Sequence, residues 1–389
     1  LVSWLLMLLS QDGTVASRML HPSPLKRGAH GTLYLRLANT TLLPGPLATL
    51  MLAEAGARVI KVERPGGEDM RFYPPAVGGV SAHFAALNRG KEGFVLDLED
   101  AGSRAALMEL AARADVIVEQ FRPGVIDRLG FGYEAVKVVN PGIVFCSISG
   151  YGQTGPKAMK AGHDLNYQAE TGILALSHGP TEAPVLLATL TADIGGGSMP
   201  AVINILLALL KRNASGEGTR IDIAMTDAMF AFAPFPMSEG NATGHFPKNG
   251  QGYLTGALPR YGLYPTADGR IAAIAALEPK FWQRFCELIQ LPAELRNDIA
   301  DPPATRAAVS AAIRARTAEE WIPLFAEADC CANIARTLEE AMADPDFIER
   351  GLFARKVLLP NGDTMPAAAV PIVPELREDD GEAKPFPAI

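Results

Sequence analysis

The sequence predicts an α/β protein: an open parallel sheet covered by helices on both faces, followed by a smaller α+β domain. Two patterns carry this. Between residues 33 and 149, short Val- and Ile-rich runs alternate with helical segments of about ten residues, as a parallel sheet buried between helices requires. Beyond residue 256, two strand-like runs flank Asp268-Gly269, a hairpin signal, and three helical segments follow.

Taken in order, residues 33–37 form a short strand, and Gly45-Pro46 opens a helix running to about Ala55. Residues 58–63 (RVIKVE) and 93–98 (GFVLDL) are the next strands. A helix over 101–113 leads into strands at 115–119 and 143–149 (IVFCSIS). Residues 198–212 read as a helix so apolar, through Ala201, Val202, Ile205, Leu206 and Leu209, that burial between layers is expected. The Gly/Asn/Pro-rich stretch 239–256 reads as a linker or active-site loop. Strands at 261–264 and 270–275 and helices at 279–290, 305–317 and 318–327 complete the second domain, and the Pro-rich end packs back as extended chain. The division is therefore 1–30 outside the fold, 31–230 large domain, 231–256 linker, 257–330 small domain and 331–389 returning to the large one.

Composition narrows the function. A chain of 389 residues with 48% apolar and 20% charged residues is globular and long enough for two domains. A formal charge of −8 argues against nucleic acid or an anionic membrane as partner, so any anionic ligand must meet a local basic cluster. Cys146, Cys286, Cys330 and Cys331 show no metal-ligand spacing and read as thiols of a reducing cytoplasm; no metal is expected. The apolar run 1–9 stops at Gln11 and Asp12, short of the ~20 residues of a bilayer span, and lacks a secretory signal's basic start. In a cytoplasmic protein the sequons at Asn39, Asn213 and Asn241 are chance matches.

Signatures of dinucleotide, Walker, serine-esterase and zinc-protease sites are absent. What stands out is Ala161-Gly162-His163-Asp164-Leu165-Asn166-Tyr167 and, further on, Asp193-Ile194-Gly195-Gly196-Gly197-Ser198. A lone histidine is more often structural than catalytic, yet His163 follows a Gly/Pro-rich loop, the usual place for site residues, and an imidazole titrates near neutrality without tuning. Asp193 reads equally as a capping acid of a helix beginning near Gly197 or as an acid/base group, with amides near Asp193 and Gly195 available to an oxyanion. Glu278, before Pro279 at a helix start, has the same capping reading. Arg64, Arg71, Arg89, Lys91, Arg122 and Arg128 lie near predicted strand ends, where they could meet phosphates or simply be solvated charges.

Leu43-Pro44-Gly45-Pro46, the run from Gly56 to Gly67, Asn88-Arg89-Gly90-Lys91, Phe121-Arg122-Pro123-Gly124, Arg128-Leu129-Gly130 and the run from Ser149 to Pro156 resemble the family III CoA-transferases, from about residue 33 to beyond 345. Arg36 stands where that family usually has an acid. The resemblance implies a Rossmann-like large domain, a small domain, and two chains threaded as an interlocked homodimer. It also implies an acyl-CoA thioester as ligand, with no cofactor beyond the coenzyme A of the substrate. The motifs look closest to the α-methylacyl-CoA racemase branch, which implies His163 and Asp193 as the catalytic pair and Glu278 as an accessory acid. Arg64, Asn88, Arg89, Lys91, Arg122, Gly162 and Tyr167 fall on its CoA-binding positions. The transferase branch instead implies a covalent acyl anhydride on Asp164, and a non-catalytic CoA binder is the third reading.

Overall fold

The structure is a computed structural model that describes residues 35–367, 370–378 and 382–388. The segment 1–30, read as lying outside the fold, falls outside the described residues.

Six parallel strands form the main sheet: β1 (Leu35–Asn39), β2 (Arg58–Glu63), β3 (Glu92–Val95), β4 (Val116–Glu119), β5 (Val144–Ser149) and β6 (Thr219–Ala224). Their order is β3-β2-β1-β4-β5-β6, with every pairing parallel. The order reverses between β1 and β4, and crevices beyond the carboxyl ends of such sheets are where ligands bind. Alternate residues of one strand face opposite layers. Val144, Cys146 and Ile148 of β5 join the core under the helices α1 (Pro44–Glu54) and Met199–Ser215, whereas Phe145 joins the core under Ala101–Ala111 and Tyr133–Val139.

β6 was not legible as a strand. Its TRIDIA sequence alternates exposed and buried residues, as befits a sheet edge, and lacks the continuous apolar run of its neighbours. The other helices that matter to the site are α2 (Ala82–Asn88), α3 (Ala101–Ala111), α4 (Tyr133–Val139), α5 (Asp164–Glu170), α6 (Met199–Ser215) and α7 (Met225–Met229). Helix α8 (Pro234–Thr243) occupies part of the stretch read as linker.

The apolar helix departs from expectation. It buries Ala201, Ile205, Ala208 and Leu209, but Ile203, Leu206, Leu207 and Leu210 are exposed, Leu210 by 66%. Among the described residues nothing covers that face, so burial between layers is corrected to burial on one side. With the segment before it, this is the one described helix long and apolar enough to cross a membrane, a test that core helices of soluble proteins also pass.

The small domain pairs β7 (Tyr261–Pro265), β8 (Ile271–Ala275) and β9 (Ala332–Ile334) in the order β9-β8-β7. The sheet packs on α9 (Pro279–Leu288), α10 (Pro302–Arg314) and α11 (Ala318–Ala328) around Trp282, Phe285, Trp321 and Phe325. Its third strand therefore lies beyond the boundary at 330 read from the sequence. After it, Val357, Leu359 and Ala367 pack on Ala85, Val370 on Leu50 and Met51, and the Glu378 N–H donates to Glu54 O.

Candidate active site

The loops leaving β5 and β6 are tied together at the carboxyl edge of the sheet. Gly150 O accepts both the N–H and the hydroxyl of Thr226, at 3.1 and 3.0 Å. The chain then runs to His163, extended at φ −128°, ψ 176° and placed just ahead of α5, where its N–H donates to Asn166 Oδ1 at 3.0 Å. The imidazole itself is exposed. Tyr167 fixes this loop from below: its hydroxyl donates to Gly162 O at 2.5 Å, and its ring meets Tyr151 edge-on at 5.3 Å. Glycine is required at 150 and 162, since an added Cβ would lie 2.6 and 2.7 Å from the Tyr167 ring.

Asp193 stands on Ala192–Ser198, which winds as a π-helix before continuing into α6. The helical winding thus starts at Ala192, about six residues earlier than the sequence suggests. Such wide turns recur at functional sites. Its glycines are there for packing: a Cβ at Gly196 would sit 2.5 Å from Met225 O, and one at Gly197 would sit 3.1 Å from Pro44 Cβ. The turn is latched by Asp164, whose buried Oδ1 accepts the N–H groups of Ala192 (2.7 Å) and Asp193 (2.9 Å), while Oδ2 accepts from Gln168 Nε2 at 2.5 Å. The Asp193 amide is therefore spent on Asp164, which corrects the expectation that it could serve an oxyanion.

Burial, reinforced by the Asp164 charge, pushes the Asp193 carboxyl up to about 6, while His163 acts in the opposite direction. Burial, with Asp193 next in weight, pushes the Tyr167 phenol up to about 12. His163, Asp164, Tyr167 and Asp193 thus form one electrostatic cluster. A carboxyl tuned near neutrality beside an imidazole suits proton transfer in either direction.

The basic residues divide. Arg64 and Arg122 are exposed beyond the carboxyl ends of β2 and β4; Arg64 is paired with Asp69 at 2.6 Å. By contrast Asn88, Arg89 and Lys91 are buried and already engaged. Arg89 Nε bonds Glu54 Oε1 at 2.9 Å, and Lys91 Nζ donates to Pro46 O and Asn88 Oδ1, both at 2.8 Å. Burial holds the Lys91 ammonium well below the usual lysine range. These three brace the turn between α2 and β3 against α1, so a direct contact with phosphate would need them to exchange partners. Glu278 is exposed at the start of α9 in the small domain, where its charge acts on Cys331. Within one chain the charges acting on Asp193 are those of Asp164 and His163. Two open clefts of the small domain, of about 540 and 350 Å³, are lined by neither His163 nor Asp193.

The model of CoA-transferase family III matches residues 36–387. The chain belongs to this family. The human α-methylacyl-CoA racemase is 32% identical over 346 residues, covering 87% of this chain and 86% of the relative. The acetyl-CoA:oxalate CoA-transferase of Acetobacter aceti is 34% identical over 337 residues, covering 84% of each. A CAIB/BAIF family protein from Brucella suis has a solved structure that superimposes with a TM-score of 0.75 at 30% identity, covering 90% of this chain and 92% of the other.

The chain is accordingly an enzyme of the family III CoA-transferase and racemase superfamily. Two residues of the cluster escaped sequence reading. Gln168 sits four positions after Asp164, a spacing at which amide and carboxylate meet on a helix, and that spacing was the available signal. Tyr151 lies in the motif run from Ser149 to Pro156, but nothing there marks its contact with the site, which depends on the loop folding back to Tyr167.

Proposed function

We propose that this family III enzyme is an α-methylacyl-CoA racemase, epimerising the α-carbon of a 2-methylacyl-CoA. The observation that carries this is the electrostatic pairing of His163 with an Asp193 whose carboxyl is pushed up to about 6. The thioester carbonyl acidifies the α-proton. His163 takes that proton from one face, leaving an enolate, and protonated Asp193 delivers one to the other face; the roles reverse for the opposite enantiomer. Two-base transfer needs one partner protonated and the other not, and a carboxyl titrating near neutrality supplies the second state at working pH. Arg64 and Arg122, exposed at strand ends, suit the CoA phosphates. The coenzyme A of the substrate is the only cofactor involved, and the cytoplasm is the expected compartment.

The same reading takes the enzyme to be an interlocked homodimer. The uncovered face of α6 and the exposed Glu278 both favour a second copy, which would close the site and bring Glu278 within reach of His163. CoA transfer through Asp164 is the second reading, favoured by the transferase relative of similar identity. Against it stands the hold of Asp164 on two backbone amides.

Replacing His163 with Ala should abolish incorporation of solvent deuterium at the α-carbon of a 2-methylacyl-CoA. Undiminished exchange in that variant would remove His163 from the mechanism.

A further inference from the structure

Resting on the racemase reading, we infer that Asp164 is a positioning residue for Asp193: its carboxylate fastens the first turn of the π-helix through the Ala192 and Asp193 amides, and it is not a nucleophile. The geometry is specific. One oxygen accepts two consecutive backbone N–H groups at 2.7 and 2.9 Å, the other accepts Gln168 Nε2 at 2.5 Å, and the side chain is 6% exposed. Attack on a thioester through Oδ1 would need it to surrender both donors, leaving buried amides unpaired at a cost of about 1–3 kcal/mol each, and attack through Oδ2 would have to displace or pass the Gln168 amide held on it. In its present place the carboxylate sets where the Asp193 backbone lies, and therefore the face of the substrate that Asp193 can reach.

The charge of Asp164 also acts on its neighbour, since after burial it is the main influence raising the Asp193 carboxyl. The titratable groups facing Asp193 are Asp164, His163 and Tyr167, all from the loop and first turns of α5. The other elements packed on the turn present Met225, Pro44 and Phe232, none of them titratable, while Asp227 on α7 is exposed to solvent. Removing the Asp164 charge therefore lowers the pH at which Asp193 loses its proton.

The test is Asp164→Asn, which keeps an acceptor oxygen for the two amides but removes the charge. Exchange of the α-proton is expected to survive within about tenfold, with the pH profile of kcat displaced toward acid relative to the parent enzyme. A merely structural role would lower the rate without moving the profile, and that result overturns the proposal. The parent enzyme provides a second readout that needs no variant. Incubated with acyl-CoA and quenched with hydroxylamine, it should carry no hydroxamate on Asp164 by peptide mass spectrometry; a stoichiometric hydroxamate there overturns the proposal while leaving the fold intact. A parent enzyme that exchanges no α-proton for any 2-methylacyl-CoA fails at the racemase reading, and the role of Asp164 falls with it.

Discussion

At the scale of single residues, the site turns on an acid placed where it is costly. Asp193 titrates up to about 6 in the folded chain, above the ordinary 3.8, so the folded state holds that proton more tightly than the unfolded one. Stability is consequently lost as pH rises from about 4 to 6, and the cost stays in force above that window. Asp193→Asn removes it. The variant should be more stable than the parent at pH 8 by roughly 1–3 kcal/mol and no more stable at pH 4, by chemical denaturation at each pH. Its exchange activity should fall by at least a hundredfold. The basic residues allow a complementary contrast. Arg89→Ala breaks a buried pair with Glu54 and should cost about 3 kcal/mol of stability. Arg122→Ala should leave stability within about 0.5 kcal/mol and weaken binding of a CoA thioester. The motif residues at this scale were legible as candidates from the chain alone. Which of them face solvent was not, because Asn88-Arg89-Gly90-Lys91 reads as a basic loop until Glu54 and Pro46 O are brought beside it.

Among elements, the decisive one is the wide turn Ala192–Ser198. Its glycine run reads from sequence as a loop that could approach a ligand, whereas the structure uses the missing side chains to seat the turn against Met225 and Pro44. Gly196→Ala should therefore act through packing. A Cβ placed 2.5 Å from Met225 O must displace backbone, costing about 1–3 kcal/mol and shifting Asp193 enough to lower kcat at least tenfold. Thermal unfolding and the exchange rate together check this. Strands β2, β4 and β5 were readable because both faces are buried and the runs are rich in Val and Ile. Edge strand β6 and the short α5 were not, since half-exposed elements of six or seven residues carry too little periodicity.

The whole molecule shows one chain with a well-formed small domain, a complete parallel sheet and a bare apolar stripe along α6. That stripe, with Ile203, Leu206, Leu207 and Leu210 exposed, adds to the family resemblance as ground for the proposed second copy. Leu207→Glu together with Leu210→Glu, both on the exposed side, should shift the particle mass measured by light scattering from dimer to monomer and depress exchange activity with it. The large-domain architecture was legible because alternating strands and helices admit few topologies. The partial exposure of α6 was not, because an apolar helix reads the same whether a layer of its own chain or another molecule covers it. The most direct test of the central claim incubates the enzyme with a resolved 2-methylacyl-CoA in deuterated water, with and without a free carboxylic acid. Deuterium at the α-carbon, loss of optical purity and no movement of CoA to the added acid are the results predicted here. Transfer of CoA to that acid, with the α-proton retained, would contradict it.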